Sequence, residues 1–269
     1  MNVQATVSYI ASMSEQAYYY LHETPEGQAQ RNVQGDRREV VVEDARRASP
    51  AVTLEREGVE LVPFSAAPKD EHDSDGFKLD FYPQVEAMVE EFTGATRVLA
   101  FDHNVRSSEP GAADGTRVQA PVRLVHNDYT EASGPQRVRD LLPEESDALL
   151  KKRFAIINVW KPIHAPVSEA PLAVCDAQTI RAADMIETEL RYPGRTGVIY
   201  SFAYSPEHRW LYFPNMQPEE TLLIKCYDSE VDTSRFTAHS AIDEPQTSQG
   251  THERQSIEVR TFAFFEDNA

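Results

Sequence analysis

From residue 153 almost to its end, the chain is a succession of short strand-like runs, and this pattern constrains the fold more than any other feature. The runs are "RFAIINVWKPI" (153–163), "APLAVCDA" (170–177), "TGVIYSFAY" (196–204), "HRWLYFP" (208–214), "ETLLIKCYDS" (220–229), "RFTAHSAI" (235–242) and "SIEVRTFAFF" (256–265). Most are rich in β-branched and aromatic residues and are bounded by turn formers. Many short strands with few helices bury their apolar faces by packing sheet on sheet, which gives a sandwich or a barrel. Strands and helices do not alternate as in a parallel α/β sheet, and there is no G-x-G-x-x-G or G-x-x-x-x-G-K loop for a nucleotide.

The first half is more mixed. "ATVSYIA" (5–11), "REVVVED" (38–44) and "TRVLAFDHNVR" (96–106) read as strands, and "VTLEREGVELVPF" (52–64) as two short strands about a Glu57-Gly58 turn. In "DFYPQVEAMVEEFTG" (80–94) the period changes: Val85, Met88, Val89 and Phe92 fall at helical spacing, with Pro83 in the first turn and Gly94 at the stop. "SGPQRVRDLLPEESDALLKKR" (133–153) predicts a helix divided by Pro143, with Ser133 and Gln136 at capping-box spacing. The Gly-, Ser- and Pro-rich stretch 107–121 reads as a loop, either a lid or plain surface. The expected organisation is one domain, 1–269, with an N-terminal extension (1–95) packed on a β core with helical inserts (96–265).

Charge narrows the function classes. The 44 Asp and Glu against 26 Lys and Arg give −18, which disfavours nucleic-acid backbones and anionic membranes. Cys175 and Cys226 form no C-x-x-C pair, and a chain of 269 residues needs no disulfide staple, so free buried thiols are expected. No stretch approaches the roughly 20 apolar residues of a spanning helix, and the N-terminal residues lack the pattern of a secretory signal. A cytoplasmic protein acting on a small molecule is expected, with a homodimer left open.

Two residues of "RLVHNDYT" (123–130) can carry metal chemistry. On an extended segment His126 and Asp128 share a face while Asn127 turns away. Alone, H-x-D is weak, because such tripeptides arise by chance. A third ligand from elsewhere would complete a 2-His-1-carboxylate set, which leaves positions open on Fe(II). His239 in "RFTAHSAI" is the candidate. Further on, Arg254 and Ser256 form R-x-S, suited to a carboxylate: the guanidinium fork binds it in bidentate fashion and the hydroxyl adds a bond. The other histidines (His22, His72, His103, His164, His208 and His252) have turn, loop or wrong-face settings and are read as structural or surface residues. Asn158 and Trp160 share a strand face, where core packing and a pocket role are both open. So they are for Trp210 in "RWLYFP", while Tyr129 adjoins the H-x-D motif. Hydrolytic signatures such as G-x-S-x-G and H-E-x-x-H are missing from the sequence.

The ordered set H-x-D, H, R-x-S resembles the Fe(II)/2-oxoglutarate-dependent oxygenases, whose core is a double-stranded β-helix (jelly roll, cupin-like). More narrowly, "FDHNVR", "VHNDYT", "SGPQRVRDLLP", "FAIINVWKPI", "PLAVCDA", "HRWLYFPNM", "LLIKCYDS", "RFTAHSAIDEP" and "RQSIEVR" are similar to the CmcJ/NvfI-type group, which includes gibberellin desaturase-like enzymes and a component of cephamycin methoxylation. The resemblance spans roughly 98–265. It implies Fe(II) held by His126, Asp128 and His239, 2-oxoglutarate held by Arg254 and Ser256 with Asn158 nearby, O2 as co-substrate, and Tyr129, Trp160 and Trp210 as pocket residues. The implied reaction is hydroxylation, desaturation or oxidative ring formation at an unactivated C–H bond of a specialised metabolite. A cupin-like isomerase or ligand-binding jelly roll without oxidative chemistry is the alternative. The 110 residues between Asp128 and His239 set the main structural question: whether the chain returns His239 to their side.

Overall fold

The structure is a computed structural model that describes residues 2–68, 76–107, 119–167, 169–243 and 254–266. Most of the stretch 107–121, read as either a lid or plain surface, lies outside the described residues, as do His72 and His252.

Fourteen strands form two sheets among the described residues. They are β1 (Val3–Ile10), β2 (Ala17–Tyr20), β3 (Gly35–Asp44), β4 (Val59–Pro63), β5 (Arg97–Ser107), β6 (His126–Asn127), β7 (Phe154–Pro162), β8 (Leu172–Cys175), β9 (Met185–Tyr192), β10 (Arg195–Phe202), β11 (Trp210–Tyr212), β12 (Glu220–Asp228), β13 (His239–Ala241) and β14 (Gln255–Phe264). The larger sheet runs β1-β3-β11-β8-β13-β6-β10-β9-β2 and the smaller β4-β12-β7-β14-β5. Pairing is mostly antiparallel, with β3–β11 and β2–β9 parallel. The two curled sheets face one another as a double-stranded β-helix, the sandwich-type packing that the strand pattern implies and the fold that the family resemblance implies.

Side-chain alternation sorts the layers. Phe154, Ile156 and Trp160 of β7, Leu222 and Ile224 of β12, Phe262 and Phe264 of β14, and Leu172 and Val174 of β8 meet between the sheets. The outer face of the smaller sheet, with Ala155, Ile157 and Val159, is covered by α1 (Tyr82–Thr93) through Val85, Met88 and Val89. The intervening residues of the larger sheet, Ala173, Cys175, Trp210 and Tyr212, pack outward with Val3, Val7 and Tyr9 of β1. Every residue of β7 is buried. A central strand covered on both faces requires a near-continuous apolar run, which "FAIINVW" supplies. Each large apolar side chain so buried contributes about 1.5–3 kcal/mol.

Several local expectations change in detail. α1 begins with Pro83 in its first turn and stops at Gly94, whose φ of 71° suits a residue without a Cβ. Only the second half of 52–64 becomes a strand; Leu54–Glu57 is a turn, and Gly58 follows at φ 82°. The helical segment divides at Pro143 into α2 (Ser133–Leu141) and α3 (Ser146–Leu149). The start of α2 is tied by Thr130 and Ser133, each accepting the other's backbone N–H at 3.1 and 2.8 Å, rather than by Ser133 and Gln136. The hairpin β9–β10 had no counterpart for its first strand in the sequence reading: "MIETELRY" is half-buried at most positions and carries no apolar run.

Candidate metal centre and co-substrate pocket

β6 is only two residues long, yet it lies between β10 and β13, so neither edge of it is open. Its partner across the ladder to β13 is decisive: His126 is in direct register with His239. Directly opposed residues on one face of an antiparallel pair stand side by side, and the two imidazoles are tilted at 55° with centroids 4.5 Å apart. The 110-residue excursion therefore returns His239 to the neighbouring strand.

The orientation of both rings is fixed from behind. His126 Nδ1 is 2.8 Å from the carbonyl of Leu124, and His239 Nδ1 is 2.9 Å from that of Thr237. A carbonyl can only accept, so each Nδ1 carries the proton and each Nε2 presents a lone pair to the interior. Burial, with His239 beside it, pushes His126 down to about 3, which keeps the ring neutral. Asp128 Oδ1 is 3.8 Å from His126 Nε2. Burial opposes ionisation of Asp128, but Arg260 and the two imidazoles outweigh it and hold its pKa well below the usual carboxylate range.

Ligand atoms from His126, Asp128 and His239 all lie within 4.8 Å of one another. His239 Nε2 is buried with no hydrogen-bond partner among the described residues. An orphaned buried acceptor costs about 1–3 kcal/mol, and a metal ion is the partner that this donor set fits. Two imidazoles and one carboxylate are the donor set of a facial triad.

Asp128 has further partners. Its Oδ2 accepts from Asn158 Nδ2 at 2.8 Å and from Arg260 Nε at 2.7 Å. Asn158, expected near the co-substrate, is thus placed on the carboxylate of Asp128, with its own Oδ1 buried and unpaired among the described residues. Sequence reasoning missed Arg260. A signal was present: Ser256, Glu258 and Arg260 put three polar side chains on the inner face of a strand whose other face is apolar.

Arg254 stands just before β14 and is buried. Its Nη1 donates to the Ala170 carbonyl, and its Nε and Nη2 lie 3.4 and 3.3 Å from Ser256 Oγ. Its guanidinium sits 5.2 Å over the Trp160 ring. Burial, together with Arg106 and Arg123, lowers its pKa to about 9. A cation that is costly to bury and lies beside other cations favours an anionic ligand.

Tyr129 and Trp160 belong to the inter-sheet core. Trp210 does not join them. It packs in the outer layer, its Nε1 donating to Tyr9 Oη at 2.7 Å. His103 lies 2.7 Å from Tyr82 Oη and stacks on Phe77 at 4.3 Å, and His208 contacts Tyr9 and Asp184. Both are built into the packing, away from the triad. Among the described residues no helix is long and apolar enough to cross a membrane.

Comparison with known proteins agrees with this geometry. A family profile described as "Oxidoreductase/YMDC permease-like domain" matches residues 7–264. The chain is 32% identical over 251 residues to the hydroxylase/desaturase efuI of Hormonema carpetanum, covering 85% of this chain and 84% of that one. It is 31% identical over 263 residues to the Fe(II)/2-oxoglutarate-dependent dioxygenase nvfI of Aspergillus novofumigatus, covering 94% and 92%. The solved structure of the iron and alpha-ketoglutarate-dependent endoperoxidase NvfI superposes with a TM-score of 0.87 at 27% identity over 99% of each chain. With a fold, a motif order and near full-length relatives in agreement, the chain belongs to the Fe(II)/2-oxoglutarate-dependent oxygenases of the NvfI type.

Proposed function

We propose that this oxygenase works as one domain, in which His126, Asp128 and His239 hold Fe(II) and Arg254, assisted by Ser256, docks the distal carboxylate of 2-oxoglutarate. The observation that carries the proposal is the direct register of His126 with His239, which brings ligand atoms of both rings and of Asp128 within 4.8 Å of one another. Iron bound there with 2-oxoglutarate would couple oxidative decarboxylation of the keto acid to removal of hydrogen from a substrate C–H bond.

The chain's own residues set the conditions for that chemistry. The Leu124 and Thr237 carbonyls hold the imidazole protons away from the metal. Arg254 recognises a carboxylate by charge and shape, and the Trp160 ring packs against its guanidinium. The buried inter-sheet core excludes water on one side of the site. Tyr129 and Trp160 are the proposed pocket contacts for a small specialised metabolite, whose outcome is hydroxylation, desaturation or ring formation. Asn158 acts through Asp128. A cytoplasmic location is part of the proposal, supported by two buried free thiols. So is a homodimer, which light scattering would test.

The experiment is an anaerobic titration of the apo-protein with Fe(II) and 2-oxoglutarate. A weak visible charge-transfer band is expected, lost in His126→Ala and His239→Ala. In Arg254→Ala the 2-oxoglutarate affinity falls by about tenfold or more, the loss of a charged hydrogen-bond partner. A wild-type protein that shows no band would support the cupin-like alternative instead.

A further inference from the structure

Asp128 has two carboxylate oxygens, and only one is turned toward the histidines. Oδ1 is 3.8 Å from His126 Nε2, whereas Oδ2 accepts from Arg260 Nε at 2.7 Å and Asn158 Nδ2 at 2.8 Å. The two donors come from paired positions of adjacent strands, Arg260 of β14 opposite Asn158 of β7. Two short charge-assisted hydrogen bonds, one of them from a cation, use the in-plane lone pairs of that oxygen.

Arg260 is itself held from behind. Its Nη1 pairs with Asp102 Oδ2 at 3.2 Å and its Nη2 with Glu258 Oε1 at 3.0 Å. With its amide oxygen turned inward, Asn104 accepts from both Nη1 and Nη2 at 2.8 and 3.1 Å. Asp102, Asn104 and Glu258 all sit on β5 or β14, which are paired along their length. The guanidinium is therefore part of the sheet wall and cannot swing to follow the carboxylate. A cation approaching Oδ2 would have to displace it against like charge.

We infer that Arg260 is a positioning residue which, with Asn158, restricts Asp128 to binding iron through Oδ1 alone. The inference rests on the reading of His126, Asp128 and His239 as the iron ligands. Its consequence is a count of coordination positions. Three ligand atoms on an octahedral ion leave three positions, two for a chelating keto acid and one for oxygen. A carboxylate free to chelate through both oxygens would take a fourth and close the oxygen position while the keto acid remained bound. Arg260 thus protects the position on which an oxygenase depends.

The test uses nitric oxide, an oxygen surrogate with a characteristic electron paramagnetic resonance signal when it occupies an open position on ferrous iron. In wild type, Fe(II) and 2-oxoglutarate give the visible band, and nitric oxide then gives the signal. In Arg260→Gln the band is expected within about threefold of wild-type 2-oxoglutarate affinity, while the nitric oxide signal falls at least about tenfold at equal concentration. Asn158→Ala is expected to shift in the same direction by a smaller factor. Arg260→Gln leaves Asp102, Glu258 and Asp128 facing one another. If circular dichroism shows that it does not fold, Arg260→Lys, which keeps the charge but not the fork, and Asn158→Ala carry the comparison. Folded variants that bind nitric oxide as wild type does overturn the inference. So does equal loss of the band and the signal, which would mark a general disruption. A wild-type protein without the band instead sinks the iron-ligand reading.

Discussion

At the scale of single residues, Gly58 shows how far the support of a proposed metal ligand extends. It has φ 82°, where a Cβ is disfavoured, and a Cβ there would overlap the Thr237 hydroxyl. The Thr237 carbonyl is the acceptor that orients His239, and the Thr237 hydroxyl donates back to the Gly58 carbonyl at 3.2 Å. Gly58→Ala is therefore expected to cost about 1–3 kcal/mol of stability and also to weaken Fe(II) binding, because Thr237 must move. Thr237→Val removes only the hydroxyl bond, about 1 kcal/mol, and leaves the carbonyl in place. Denaturant melts with anaerobic Fe(II) titrations separate the two. Equal metal affinity in wild type and Gly58→Ala would break the proposed link. The proposed ligands were legible as H-x-D and a later histidine, because alternation fixes which residues share a face. Gly58 was legible only as a turn, since nothing local to residues 52–64 reports contact with a side chain some 180 positions later.

At the scale of elements, legibility followed the strength of the local pattern. α1 was readable from four apolar positions at helical spacing, a proline and a glycine. β9 was not, because a hairpin only half-buried needs no apolar run. Arg260 fell between these cases. A charged residue in a strand pattern reads first as solvent-facing, and only the second sheet makes that face an interior. Helix α2 gives a test of packing against propensity. Gly134 lies in its first turn, where a Cβ would come within 2.6 Å of the Tyr227 ring of β12. Alanine in a helix is favoured over glycine by about 1 kcal/mol, but forcing a methyl into a filled contact costs about 1–3 kcal/mol. Gly134→Ala is thus expected to lower the thermal midpoint. A rise would show that the helix can lift from β12 without penalty.

At the scale of the whole molecule, residues 3–63 do more than extend the core. β1 and β3 form one edge of the larger sheet, β4 edges the smaller one, and the Glu55 turn is anchored to β12 by charge. Lys225, buried on β12, pairs with Glu55 at 2.8 Å and Asp228 at 3.0 Å, while Arg153 reaches both carboxylates at 3.1 and 2.8 Å. Burial alone would raise the Glu55 pKa, but Lys225, Thr233 and Arg153 outweigh it and lower the value from 4.5 to about 2. Between those two values the unfolded chain binds a proton that the folded one does not. Stability from this contact is therefore complete above about pH 4.5 and is lost as pH falls toward 2. Glu55→Gln should melt lower than wild type at pH 7, and the gap between the two should close as pH falls from 5 toward 3. Because Glu55 is more than half exposed, solvent screening keeps the gap modest. A gap that stays constant over this range would mean that the contact acts through packing, and that the N-terminal strands are held to β12 without help from this charge.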